Sequence, residues 1–193
     1  MTLNHSPKNE TSEIKIISVN NSDYKLEWER RIFEKENRYS PSMQKIQLIN
    51  SNELISIYTI PNDTNRNIIL NKIELSQGNI LATKKLNIKT DNFGISDVME
   101  MGNELYIVGR ACNFVTLKNP FKSNYWLGAL FKIDKENLNL IETDYFGSEY
   151  TGTDTNLLRI SKVDGKVYGI QTSEYILLQE NFPVKRWGLI LLE

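Results

Sequence analysis

Short apolar runs, each cut off by turn residues before it could complete three turns of helix, dominate this chain and restrict it to antiparallel sheet. The clearest stretch runs from Ile95 to Phe146. There Asp97-Val98-Met99-Glu100-Met101 stops at Gly102-Asn103, and Glu104 to Arg110 (ELYIVGR) follows. After a long connection, Tyr125 to Asp134 (YWLGALFKID) and Leu138 to Phe146 flank a polar turn. Each run is rich in β-branched or aromatic residues and bounded by Gly, Asn, Asp or Pro, which predicts four strands in an up-and-down meander.

The same pattern extends to both sides. Residues 1–12 are polar and without period, and read as a flexible tail, leaving 13–193 as one repeat domain. Glu13 to Val19 alternates, Asn20 to Asp23 turns, and Tyr24 to Phe33 (YKLEWERRIF) follows; its Glu, Arg and Lys would allow a helix, but its place in the pattern predicts a strand. Met43 to Ile49, Leu54 to Ile60, Ile68 to Leu75 and Ile80 to Leu86 form a second group of four strands. Asn156 to Lys162 and Lys166 to Thr172 flank Asp164-Gly165, a hairpin signal, and Arg186 to Leu192 closes the series.

Independent positions agree on a repeat. The turns at Asn21, Gly78 and Asn137 are 57 and 59 residues apart; Tyr39, Phe93 and Tyr150, like Ser42, Ser96 and Thr153, are 54 and 57 apart; Trp126 and Trp187 are 61 apart. Asn119-Pro120-Phe121 and Asn181-Phe182-Pro183 precede the two tryptophans. With Gly78-Asn79-Ile80 leading to Lys84-Lys85-Leu86, the chain resembles bacterial β-propeller-type repeat proteins, without a WD dipeptide or a Kelch glycine pair. The resemblance implies an all-β fold of blade-like four-stranded antiparallel meanders and very little about function.

Strands group as two, four, four and three, about three and a half blades, too few to close a ring alone. The expectation is closure by another copy, a homodimer, or by a further portion of a longer protein, with the last strand, Arg186 to Glu193, offering an open edge.

Composition excludes several classes of chemistry. Net charge is -1 with basic residues dispersed, so neither nucleic acid nor an anionic membrane is the expected partner. No apolar segment has bilayer length and the N-terminus has no export signal, which gives a soluble, cytoplasmic expectation. Cys112 and His5 are the only residues of their kinds, so a disulfide, a cysteine or histidine metal site and a histidine-based triad are not expected, nor is any cofactor. Cys112 reads as a small, part-buried residue at a strand end. Asn-x-Ser/Thr at Asn4, Asn9, Asn20 and Asn62 is what chance supplies in an Asn-rich chain.

In a meander alternate connections leave the sheet at the same end. The long ones (34–42, 61–67, 87–96, 113–124, 147–155, 173–185) therefore share one face, where binding residues are expected. Asp97 and Asp154, at matching repeat positions, read first as caps of the loops before their strands; the functional alternative is a carboxylate pair that holds a cation or does acid-base work on carbohydrate. Arg110, brought beside Asp97 by the hairpin at Gly102-Asn103, reads as its ion-pair partner, or as an anion-binding cation. Trp126, Trp187, Phe93 and Tyr150 are expected to wedge between blades, leaving Phe114, Phe121 and Tyr175 as binding candidates. The expected function is a non-catalytic module that recognises a protein or glycan on the long-loop face, with a structural fragment of a larger assembly as a further alternative.

Overall fold

The computed structural model describes residues 11–36, 42–61, 66–86, 88, 92–112, 126–147, 154–176 and 183–192, and these contain thirteen strands and no helix. They are β1 (Thr11–Val19), β2 (Leu26–Glu36), β3 (Ser42–Leu48), β4 (Glu53–Pro61), β5 (Arg66–Glu74), β6 (Ile80–Leu86), β7 (Asn92–Met101), β8 (Glu104–Cys112), β9 (Trp126–Asp134), β10 (Leu140–Phe146), β11 (Asp154–Val163), β12 (Lys166–Ile176) and β13 (Pro183–Leu191). Every strand pairs with its neighbour in sequence, giving sheets β1-β2, β3-β4-β5-β6, β7-β8-β9-β10 and β11-β12-β13. The fold is all-β and its two complete sheets are four-stranded antiparallel meanders, grouped as the repeat spacing predicts. The chain divides into two compact units at the end of β6.

In the first unit β1-β2 lies on the β3–β6 sheet. Ile14 meets Tyr58 and Ile69, and Ile16 meets Leu54 and Ile73, with Trp28, Ile32 and Phe33 of β2 packed against them. Each such aliphatic side chain stabilises by about 1.5–3 kcal/mol relative to exposure. This packing decides between helix and strand for β2. Trp28, Arg30 and Ile32 point inward, while Glu29 and Arg31 point outward and meet β1 in cross-strand pairs: Lys15 to Glu29 at 3.0 Å and Arg31 to Glu13 at 3.2 Å. Residues that favour helix in isolation thus serve a period of two. Glu29 and then Glu13 hold the Lys15 ammonium above its usual range.

The second unit packs β7–β10 on β11–β13. Tyr106, Val108 and Leu130 face Leu157, Ile160 and Val167. Leu105, Ile107, Ala129 and Phe131 on the opposite face of β8 and β9 are fully buried as well, which is why these two strands read as nearly continuous apolar runs rather than alternating ones.

One turn recurs in both units. After β1, β5 and β9 the amide of Tyr24, Gly78 and Leu138 donates to the carbonyl four residues earlier (Asn20, Glu74 and Asp134, each 2.9 Å), and all three residues are left-handed, with φ of 57°, 69° and 58°. The structural equivalents are therefore Tyr24, Gly78 and Leu138, not Asn21, Gly78 and Asn137. Turn-forming residue types marked the turns correctly but not which residue takes positive φ. A second bond repeats: Leu75 donates to Asn52 at 2.8 Å and Lys135 to Asn103 at 2.9 Å, tying the two short turns of each complete sheet together.

Several connections are shorter than expected because strands run on into them. Asp154 opens β11, and Tyr175 stands within β12 opposite Val184 rather than in a loop. Phe114, Phe121, Tyr39 and Tyr150 lie outside the described residues.

Candidate functional site

The end of the β7-β8-β9 ladder away from the Gly102-Asn103 turn brings together most of the described candidates. Arg110 occupies a rung whose other members are glycines, Gly94 on β7 and Gly128 on β9. With no side chain on either flank, the arginine lies along the sheet, and its Cζ sits 4.4 Å from the ring centroid of Trp126. Arg and Trp share a face because both alternate with buried residues: Cys112, paired with Trp126, is two residues beyond Arg110. The stack holds the guanidinium on an exposed surface, and no carboxylate among the described residues reaches it.

Asp97 does not pair with Arg110. Its side chain is 13% exposed, with Oδ1 3.7 Å from Arg159 Nη1, and Oδ2 accepts the Ile160 N–H at 3.4 Å. The cause is a bulge at Ser96, which shifts the register so that Arg110 stands opposite Gly94 and Asp97 opposite Val108. Ser96 itself donates to Asn156 Oδ1 at 3.2 Å. Asp97 thereby fastens the β7 strand to β11 of the next sheet, at a point where β11 also carries a bulge, at Leu158. Removing the carboxylate leaves the Ile160 amide without this acceptor. Asp97→Ala is expected to cost about 1–2 kcal/mol in urea unfolding, and Arg159→Ala, removing a largely exposed partner, less than about 0.5 kcal/mol. The opposite ranking would show that the ion pair, not the amide contact, is what matters.

The hairpins also re-align the repeat. Counted back from their hairpins, the residues that follow the bulges of β7 and β11 are Asp97 and Arg159, so Asp97 corresponds to Arg159 and not to Asp154. Asp154 stands opposite Glu174, six residues before Ile160, roughly 15–20 Å along an extended strand. Carboxylate pairs in glycoside hydrolysis lie about 5–10 Å apart. Among the described residues no three His, Cys, Asp or Glu side chains gather in a group able to hold a metal ion.

Of the aromatic residues, Phe93 is buried edge-on against Phe131 of its own sheet, 4.8 Å between centroids, and Trp126 is the floor beneath Arg110. Cys112 is buried at the end of β8. The Arg110–Trp126 stack was legible in principle, since Arg110 pairs with Gly128 two residues from Trp126, which opens the next strand; what hid it was the expectation that the nearest carboxylate would claim the arginine. Comparison of the chain with family models, with curated proteins and with solved structures finds no match. Among the described residues no helix is long and apolar enough to cross a membrane.

Proposed function

We propose that this protein is a non-catalytic recognition module, built of propeller-like blades, that binds an acidic group of a protein or glycan at the long-connection end of its sheets. The observation that carries the reading is the Arg110–Trp126 stack: an exposed guanidinium, ordered by an aromatic ring and flanked by two glycines, with none of the described carboxylates in reach. Ordering the arginine before the ligand arrives removes part of the entropy cost of binding, and the planar fork suits a carboxylate or sulfate bidentately.

The test is a binding screen against an array of carboxylated and sulfated glycans and against an acidic peptide library, with Arg110→Ala and Arg110→Lys beside the natural sequence. A lost charge-assisted bond of about 1.5–3 kcal/mol corresponds to roughly 10- to 100-fold weaker binding for Arg110→Ala, with only partial recovery in Arg110→Lys because lysine offers no planar fork. The array that responds identifies the ligand class. Binding that is indifferent to Arg110, or no binding to either array, overturns the reading.

A further inference from the structure

Two polar side chains lie in the middle of the apolar layer between β1-β2 and the β3–β6 sheet. Leu54 and Tyr58 of β4 face β1-β2, as do Ile69 and Ile73 of β5; Leu54 packs with Ile73, and Tyr58 with Ile69. Ser56 and Asn71, each midway between two of these residues on its strand, therefore stand at one level and point into the same layer. Both are buried, at 0% and 1% exposure. The turn bonds that repeat in the two units identify their counterparts. Four residues on from Asn52 and from Asn103 are Ser56 and Ile107, and three residues back from Glu74 and from Asp134 are Asn71 and Phe131. Ile107 and Phe131 pair across β8 and β9 and are fully buried. The first unit thus has two smaller, polar side chains where the second has a branched and an aromatic hydrocarbon.

Hydrogen bonding at this level is incomplete. Thr83 of β6 donates to Asn71 Oδ1 at 2.8 Å, and the Tyr58 hydroxyl donates to Ile32 O of β2 at 3.2 Å. Burial raises the Tyr58 phenol above its usual range, and the Asn71 side chain nearby offsets part of the shift. Ser56 Oγ and Asn71 Nδ2 nevertheless have no hydrogen-bond partner. Turning the amide over would leave Oδ1 unpartnered in place of Nδ2. Buried polar atoms in this state are rare in folded proteins, and an internal water making about three hydrogen bonds is the common way of satisfying them. We propose that one water molecule binds between Ser56, Asn71 and Tyr58, inside the layer that holds β1-β2 to its sheet. It accepts from Asn71 Nδ2, donates to Tyr58 Oη and shares a bond with Ser56 Oγ, while the Tyr58 proton stays directed at Ile32 O. Nδ2 can only donate, and Tyr58 has its one proton committed, so the ligand must both accept and donate. Water is the smallest that does. The bonds from Thr83 through Asn71, the water and Tyr58 to Ile32 then run from β6 to β2, a polar joint within an apolar contact.

A crystal structure of the full chain, at a resolution that orders internal solvent, tests the site directly. The expected result is a single density peak within hydrogen-bonding distance of Asn71 Nδ2, Ser56 Oγ and Tyr58 Oη. A direct bond between Ser56 and Asn71, or no peak at that level, overturns the proposal. Ser56→Ala gives an independent test through the sign of its effect on the melting temperature. Removing a buried hydroxyl that has no partner stabilises a protein, whereas removing one that holds a water loses a hydrogen bond. The variant, which takes away one oxygen and adds nothing to the layer, is therefore expected to melt below the natural chain. An equal or higher melting temperature overturns the proposal.

Discussion

Gly78→Ala is expected to lower the free energy of unfolding by about 3–5 kcal/mol, from two additive causes. Gly78 is left-handed, with φ of +69°, where a Cβ costs about 1–2 kcal/mol. That Cβ would also lie 2.5 Å from Cε3 of Trp28, whose ring rests on the glycine. Trp28 has little freedom to withdraw, because its Nε1 donates to Leu75 O at 2.7 Å and the neighbouring Arg30 donates through Nε to Gly78 O, also at 2.7 Å. Moving the indole would therefore break the joint by which β2 docks on the β5-β6 turn. Gly102→Ala is the control: its φ of +62° is nearly the same, but nothing lies within 4 Å of its Cβ, so only the backbone cost is expected. Urea unfolding of both variants separates the causes. Equal losses would mean that the Trp28 contact relaxes freely, and a Gly78→Ala loss that persists in a Trp28→Ala background would remove the contact from the account.

Gly109→Ala is expected to cost at least about 3 kcal/mol, or to prevent folding, although its backbone is an ordinary strand. Here the obstacle is another backbone. The Cβ would collide with the carbonyl oxygen of Gly94 and lie 3.1 Å from Ile95 Cα, and neither group can rotate away as a side chain would. The Ser96 bulge drives β7 this close to β8, so alanine would have to part the two strands at the rung beside Arg110. Thermal unfolding gives the stability. Hydrogen exchange gives the location, with the expected loss of protection at Ile95 to Val98 and at Val108 to Arg110. An alanine variant with natural stability would mean that the bulge slides to admit the methyl group.

Strand against turn was written in the order of residues. Period-two alternation in Glu13 to Val19, the Asp164-Gly165 hairpin and the spacing of the apolar runs are local signals. They are sufficient for thirteen strands grouped as two, four, four and three, because strand propensity and turn chemistry act over a few neighbours. Tertiary structure decided the level at which those strands meet. A single bulged residue at Ser96 sent Asp97 to Arg159 and the Ile160 amide and left Arg110 to Trp126, while the hairpin at Asp164-Gly165 set Arg159, not Asp154, at the position that matches Asp97. The left-handed turn residue is likewise Tyr24 or Leu138 where Gly or Asn would be expected, because Leu138 is buried completely and Tyr24 closes the same hydrogen-bonded turn. The bulge at Ser96 is repaid by contacts with residues 60 or more positions away, Ser96 to Asn156 and Asp97 to Arg159 and Ile160. Side-chain pairing across strands therefore depends on contacts that no window of the sequence contains.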